Sequence, residues 1–221
     1  MRTRATTGRD GVQLPLLPVL YGLDIETDTT VDGLDPARSR VVAVAVAATD
    51  GDATVFTGDD ERVLLRALDR WLRQARPGVL TTWNGAGFDL PFLGDRAAAL
   101  GVRLGLELAP DASIDSRHAP LTGHALPYRA RWYRHLHLDA CALYRVLLGP
   151  VDDGVERSFA LKSVARDAGL VPVEVDRTLI HELTADELRR YVTSDAVLAR
   201  ELAARRWLDA PPFVDALCLA G

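Results

Sequence analysis

The stretch YGLDIETDTT, residues 21–30, begins as an apolar run and ends in threonines and acids. Val19–Glu26 reads as a β-strand, and in a strand residues two apart point the same way. Leu20, Gly22, Asp24 and Glu26 therefore share one face. Tyr21, Leu23 and Ile25 share the other, the half that packs into a core. One reading leaves the two carboxylates at a frayed strand end in water; the other gives them chemistry to do. The Asp-x-Glu spacing alone does not decide, because Asp59 and Glu61 repeat it where a helix starts.

The surrounding chain has an α/β pattern. Arg40–Ala48 (RVVAVAVAA) alternates valine with alanine and reads as a second strand, and Ala53–Phe56 as a third after the Asp50-Gly51 turn. Asp60–Gln74 has helical periodicity through Val63, Leu64, Leu68 and Leu72. Gly78–Thr82 is a fourth strand, and Leu90–Leu100 a helix ended by Gly101. LHLDACALYRVLL, from Leu136, runs from a strand edge into a helix, and Phe159–Ala168 is a helix closed by Gly169. Thr184 and Glu187 form a capping box for a last helix over about 185–206. Residues 104–136 show little periodicity. This order predicts a single α/β sheet whose first strands form a meander. A chain of 221 residues, 48% apolar, can bury one large core. The expected organisation is an N-terminal arm (1–16), one domain (17–210) and a C-terminal tail (211–221).

Two further stretches bear on the carboxylates. In the last helix, Leu188, Val192, Ala199 and Leu202 form one stripe at about 100° per residue, with Asp195 in its middle and Tyr191 one turn before it. A carboxylate there is costly to bury unless it is paired, for instance with Arg166, or bound to metal. In TTWNGAGFDLPFL, residues 81–93, a strand enters a glycine-containing loop and a helix follows. Asp89 could simply favour that helix N-terminus through the dipole, and Asn84 could be a turn residue.

Taken together, these stretches resemble the 3′–5′ exonucleases of the DEDD superfamily, and above all the proofreading domain of family B DNA polymerases. DIET at 24–27 resembles the first exonuclease motif, NGAGFDLPFL at 84–93 the second, and YVTSD at 191–195 the third. The third is in the variant with tyrosine four residues before the aspartate; the histidine variant would need histidine where Arg190 stands. HLDACALYRV and FALKSVARDAGL resemble stretches between those motifs. The resemblance spans roughly residues 18–205 and implies a ribonuclease H-like fold, a mixed central sheet flanked by helices.

It also implies a chemistry. Two divalent ions about 3.5–4 Å apart can serve both ends of an in-line phosphodiester displacement, and hard Mg²⁺ or Mn²⁺ ions want carboxylate oxygens. By resemblance, Asp24 bridges both ions, Glu26 and Asp195 hold the ion that activates water, and Asp89 serves the other ion. Tyr191 orients the attacking water, since an ordinary phenol with pKa near 10 is no strong base at neutral pH. Thr27, Asn84 and Phe88 are candidates for contacts with the substrate or the motif loop. The implied products are 5′-mononucleotides released from single-stranded DNA 3′ ends, with RNA as the alternative substrate. PYRARWYRHLH, residues 127–137, interleaves arginines and aromatics: either a nucleic-acid patch or a solvated loop with its aromatics tucked inward. His137 and Asp139 read as local support rather than metal ligands.

A net charge of −5 argues against nonspecific coating of nucleic acid but not against a nuclease, whose ions supply positive charge. Lys162 is the only lysine among 26 basic residues, a bias that points to a GC-rich genome. Cys141 and Cys218 read as reduced thiols, a disulfide being the alternative. No apolar stretch approaches the roughly 20 residues of a membrane span, and no apolar signal core follows the basic N-terminus. The expectation is a soluble, cytoplasmic protein. No polymerase-like segment follows residue 210, so the domain is expected to act alone or as a partner of a polymerase or repair assembly. The rival readings are an RNase D-like exoribonuclease, a catalytically silent nucleic-acid-binding module, and a structural domain with surface acids.

Overall fold

A computed structural model of the chain describes residues 6–7, 13–14, 18–31, 35–49, 52–115, 121–152, 154–211 and 214. Its centre is a seven-stranded mixed sheet. In chain order the strands are β1 (Leu20–Thr27), β2 (Val41–Ala48), β3 (Ala53–Thr57), β4 (Val79–Thr82), β5 (Leu106–Pro110), β6 (Tyr128–Trp132) and β7 (His135–Asp139). The helices are α1 (Glu61–Gln74), α2 (Asp89–Ala99), α3 (Ala140–Leu148), α4 (Leu161–Asp167) and α5 (Ala185–Arg205). The sheet order is β3-β2-β1-β4-β7-β6-β5. The first three strands form the expected antiparallel meander, β1, β4 and β7 run parallel, and β6 and β5 return antiparallel. This is an α/β fold of ribonuclease H-like type, as the motifs imply.

The two faces of the sheet are covered differently, as the alternation in β1 and β2 dictates. Tyr21, Leu23, Ile25, Val44 and Val46 point towards α1 and α2, where Leu64, Leu65, Leu68, Leu72, Leu90, Phe92 and Leu93 complete the largest core cluster. Glu61 fastens this side. It accepts from Val41 N at 2.9 Å and is gripped by the Arg96 guanidinium at 2.9 and 2.5 Å. On the opposite face Ala43, Ala45 and Ala47 meet Val192 and Ala196 of α5. Small residues here let the helix come close. At Gly22 the approach is backbone to backbone, since a Cβ there would lie 1.8 Å from the Ala196 carbonyl oxygen.

Local signals hold at the element ends. Asp60 caps α1 through Arg62 N and Val63 N. Thr184 and Glu187 form the expected reciprocal capping box of α5. Gly101 and Gly169 follow α2 and α4 with φ of +63° and +74°, the left-handed conformation that suits glycine after a helix. Residues 104–136, which show little periodicity, hold the edge strand β5 and its neighbour β6. Their aromatics are turned inward. Trp132 Nε1 and Tyr133 OH both donate to Asp69, at 2.9 and 2.6 Å, and Tyr128 OH meets His124 Nδ1 at 2.7 Å. Arg129 and Arg131 bind Asp111 and Glu107. Cys141 is buried, with its Sγ 4.0 Å from Phe159 O. Cys218 and most of the expected arm and tail lie outside the described residues, although Thr6–Thr7 pairs with Gln13–Leu14. No described helix is long and apolar enough to cross a membrane.

Candidate active site

The acidic face of β1 and the apolar stripe of α5 meet at one place. Asp24, Glu26 and Asp195 each offer a carboxylate oxygen, and these atoms lie within 4.8 Å of one another. Asp24 is half-buried, while Glu26 and Asp195 are buried. Two geometric causes bring them together. Gly22, two residues before Asp24 on the same face, admits the α5 backbone at Ala196, the neighbour of Asp195. The β1–β2 register then slips between Glu26 and Thr27. Such irregularities at strand ends bend the strand and re-aim its side chains.

Three carboxylates this close repel one another, and burial makes each charge costlier unless positive charge is present. Lys162 supplies part of it. Its Nζ lies 3.9 Å from Asp195 Oδ1 and 4.2 Å from the Tyr191 ring centroid. The ammonium also donates to Val173 O at 2.6 Å. Arg166, the partner the sequence suggested for Asp195, instead pairs with Glu174. One lysine leaves room for more positive charge among three acids, and their oxygens suit a hard divalent cation. The donor set therefore fits a metal.

The other predicted residues lie on α5, at the end of β1, and in the loop before α2 and the start of that helix. Tyr191 is fully buried on α5, one turn before Asp195. Asp89 is buried as the first residue of α2 and is not a member of the 4.8 Å group. Thr27 is buried at the end of β1. Phe88 rests against Phe92, with ring centroids 5.4 Å apart. Asn84 adopts φ +68° in the loop between β4 and α2, a left-handed conformation that asparagine tolerates better than most residues.

Beneath that loop lies a buried polar group. Asp139 Oδ1 accepts from Asn84 N at 3.1 Å and Ala142 N at 3.2 Å, and Oδ2 accepts from Ala86 N at 3.0 Å. Burial pushes its carboxyl above the usual aspartate range, while backbone N–H groups of Ala86, Ala142, Asn84 and Cys141 pull the other way. Next to it His137 Nε2 meets Thr82 Oγ1 at 2.8 Å, and burial lowers the imidazole pKa to about 3. His137 is neutral, and its place under the loop is the support role the sequence suggested. Lys162 is the residue that motif reading missed. Its signal was present, since a chain that uses arginine everywhere else keeps one lysine here.

Comparison with known proteins gives a consistent picture. Residues 30–114 match the family described as DNA polymerase family B, exonuclease domain. That span includes Asn84–Leu93 and lies between DIET and YVTSD. The catalytic subunit of DNA polymerase epsilon from Saccharomyces cerevisiae is 28% identical over 174 residues, covering 76% of this chain. Its counterpart from Eremothecium gossypii is 27% identical over 170 residues, covering 75%. The chain spans only 7% of the length of either relative. The family B DNA polymerase of the hyperthermophilic archaeon Pyrobaculum calidifontis superposes with a TM-score of 0.65 at 25% identity, over 90% of this chain and 28% of that one. The likeness read from three short motifs is thus found again, to the family B exonuclease domain over residues 30–114 and to DNA polymerases over most of the chain, in both sequence and fold.

Proposed function

We propose that the chain is a metal-dependent 3′–5′ exonuclease acting on single-stranded DNA 3′ ends, with residues 17–210 as the catalytic unit and 5′-mononucleotides as products. The observation that carries this reading is the convergence of Asp24, Glu26 and Asp195 from a strand and a helix into one 4.8 Å group. The likeness to polymerase exonuclease domains supports the direction of hydrolysis and the choice of DNA.

Asp24, Glu26 and Asp195 would hold Mg²⁺ or Mn²⁺, with Asp89 contributing from the start of α2. Two such ions, when bound, would help activate the attacking water at neutral pH and offset charge on the leaving 3′ oxygen. The protein's own groups do the rest. Tyr191 orients the attacking water through its hydroxyl. Lys162 fixes Asp195 and the Tyr191 ring from one side and adds positive charge beside the scissile phosphate. Thr27, Asn84 and Phe88 would contact the terminal nucleotides or the motif loop.

The test uses 5′-labelled single-stranded DNA and RNA of the same sequence, incubated with Mg²⁺, Mn²⁺ or EDTA. A ladder shortening from the 3′ end of DNA, absent in EDTA, is the expected result. Faster shortening of RNA would shift the assignment to an exoribonuclease. No shortening of either strand in either metal would overturn it.

A further inference from the structure

We propose that Asp139 is a positioning residue, whose carboxylate hangs the Asn84–Phe88 loop, and with it the Asp89 end of α2, from the edge of β7. This deepens the exonuclease reading and rests on it for the role of Asp89. The strands β4 and β7 run parallel with Thr82 beside Asp139. The chain leaves β4 at Thr82 and must reverse within a few residues to start α2. Asn84 makes the turn with its left-handed φ. Gly85 then passes so close to the sheet that a Cβ would lie 2.4 Å from Thr82 Oγ1. Such a loop has backbone N–H groups facing inward that need acceptors.

Asp139 meets that need from both oxygens, taking Asn84 N and Ala86 N from the loop and Ala142 N from α3. The same loop residues hold the start of α2. Asn84 O accepts from Gly87 N and Phe88 N, and Gly85 O accepts from Leu90 N at 3.0 Å. Phe88, at the capping position, makes no side-chain cap bond. The first turn of α2 therefore hangs in part from Gly85 O, whose own peptide Asp139 pins at Ala86 N. A simple helix cap for α3 would need only one acceptor oxygen. A carboxylate is required because donors arrive from two segments at once.

Two substitutions probe this. Asp139→Asn keeps the shape but places an amide N–H₂ against one set of donors. Asp139→Ser keeps an acceptor for the α3 cap alone. The first readout is amide hydrogen exchange. In both variants protection at Ala86, Phe88 and Leu90 should fall about tenfold, as expected for losing a hydrogen bond to a charged group. Protection in β1 and α5, and Mn²⁺ affinity, should be unchanged. The second readout is single-strand turnover. kcat should fall about 100-fold, the scale of a misplacement near one ångström, with KM little changed. In an Asp89→Asn background, Asp139→Asn should add no further loss, because both act through the same group.

Unchanged loop protection would overturn the proposal. So would an Asp139→Asn loss that multiplies with Asp89→Asn, or full activity in Asp139→Ser. If the unaltered protein fails to shorten DNA, the exonuclease reading falls, and hydrogen exchange still decides whether Asp139 holds the loop.

Discussion

Gly22 and Ala196 touch without side chains between them, and a Cβ at Gly22 would lie 1.8 Å from the Ala196 carbonyl oxygen. This contact sets how near α5 comes to β1, and so how near Asp195 comes to Asp24. Gly22→Ala must push the two backbones apart. Overpacking of this kind costs typically about 1–3 kcal/mol, and rigid backbone on both sides favours the upper end. Urea unfolding should show that loss. Titration with Mn²⁺ should also show weaker binding, because the carboxylates separate. Unchanged Mn²⁺ affinity would mean that the contact does not set the site.

Lys162 stands 3.9 Å from Asp195 and competes with any cation there. Lys162→Met should therefore tighten Mn²⁺ binding severalfold while lowering turnover. Lys162→Arg keeps the charge but not the compact ammonium, and should recover turnover only in part. Isothermal titration beside single-turnover kinetics separates the two effects. Weaker Mn²⁺ binding in Lys162→Met would contradict this account of the lysine.

Asp89 lies outside the 4.8 Å group. Asp89→Asn should thus leave the tighter Mn²⁺ site near wild-type affinity, whereas Asp195→Asn should weaken it by an order of magnitude or more. Both should lower turnover on single-stranded DNA. If Asp89→Asn abolished the tighter site, Asp89 would belong to the same cradle in solution.

Stability should fall on mild acidification. Burial lowers the His137 pKa to about 3 in the folded chain and lowers His135 as well, against about 6.5 when unfolded. Below that value the unfolded chain takes up protons that the folded chain refuses. For His137 the stabilisation is thus complete above pH 6.5 and is lost as pH drops towards 3, by up to about 1.4 kcal/mol per pH unit, and His135 acts in the same direction. Urea midpoints between pH 7 and 5 measure the slope, and His137→Gln should flatten it. A slope unaltered by that substitution would assign the acid sensitivity elsewhere.

What the sequence made legible follows from where the physics is local. The alternation in β1 and β2 marked both faces of those strands, and Thr184 with Glu187 marked the start of α5. Asp195 stood out because a carboxylate on an apolar stripe needs a reason. The strands β5 and β6 were not legible. The edge strand β5 is only partly buried and β6 buries only Ala130 and Trp132, so little alternation is imposed on them, and they pair with each other across a long connection. The arginine–aromatic segment at 127–137 left two readings open, and contacts with Asp69 and His124, distant or loop-borne, turned its aromatics inward. Lys162 was visible only as an oddity of composition, since its distance to Asp195 depends on how α4 packs beside α5.

The most direct test of the central claim is the turnover of an Asp24→Asn, Asp195→Asn double variant on 5′-labelled single-stranded DNA in Mg²⁺, beside the unaltered chain. Both substitutions keep size and hydrogen-bonding shape, so the fold should persist by circular dichroism. The account predicts stepwise 3′ shortening by the unaltered chain and a loss of at least about 1,000-fold in the double variant, the scale of removing the charge stabilisation at such a site. Full activity in the folded double variant would contradict it.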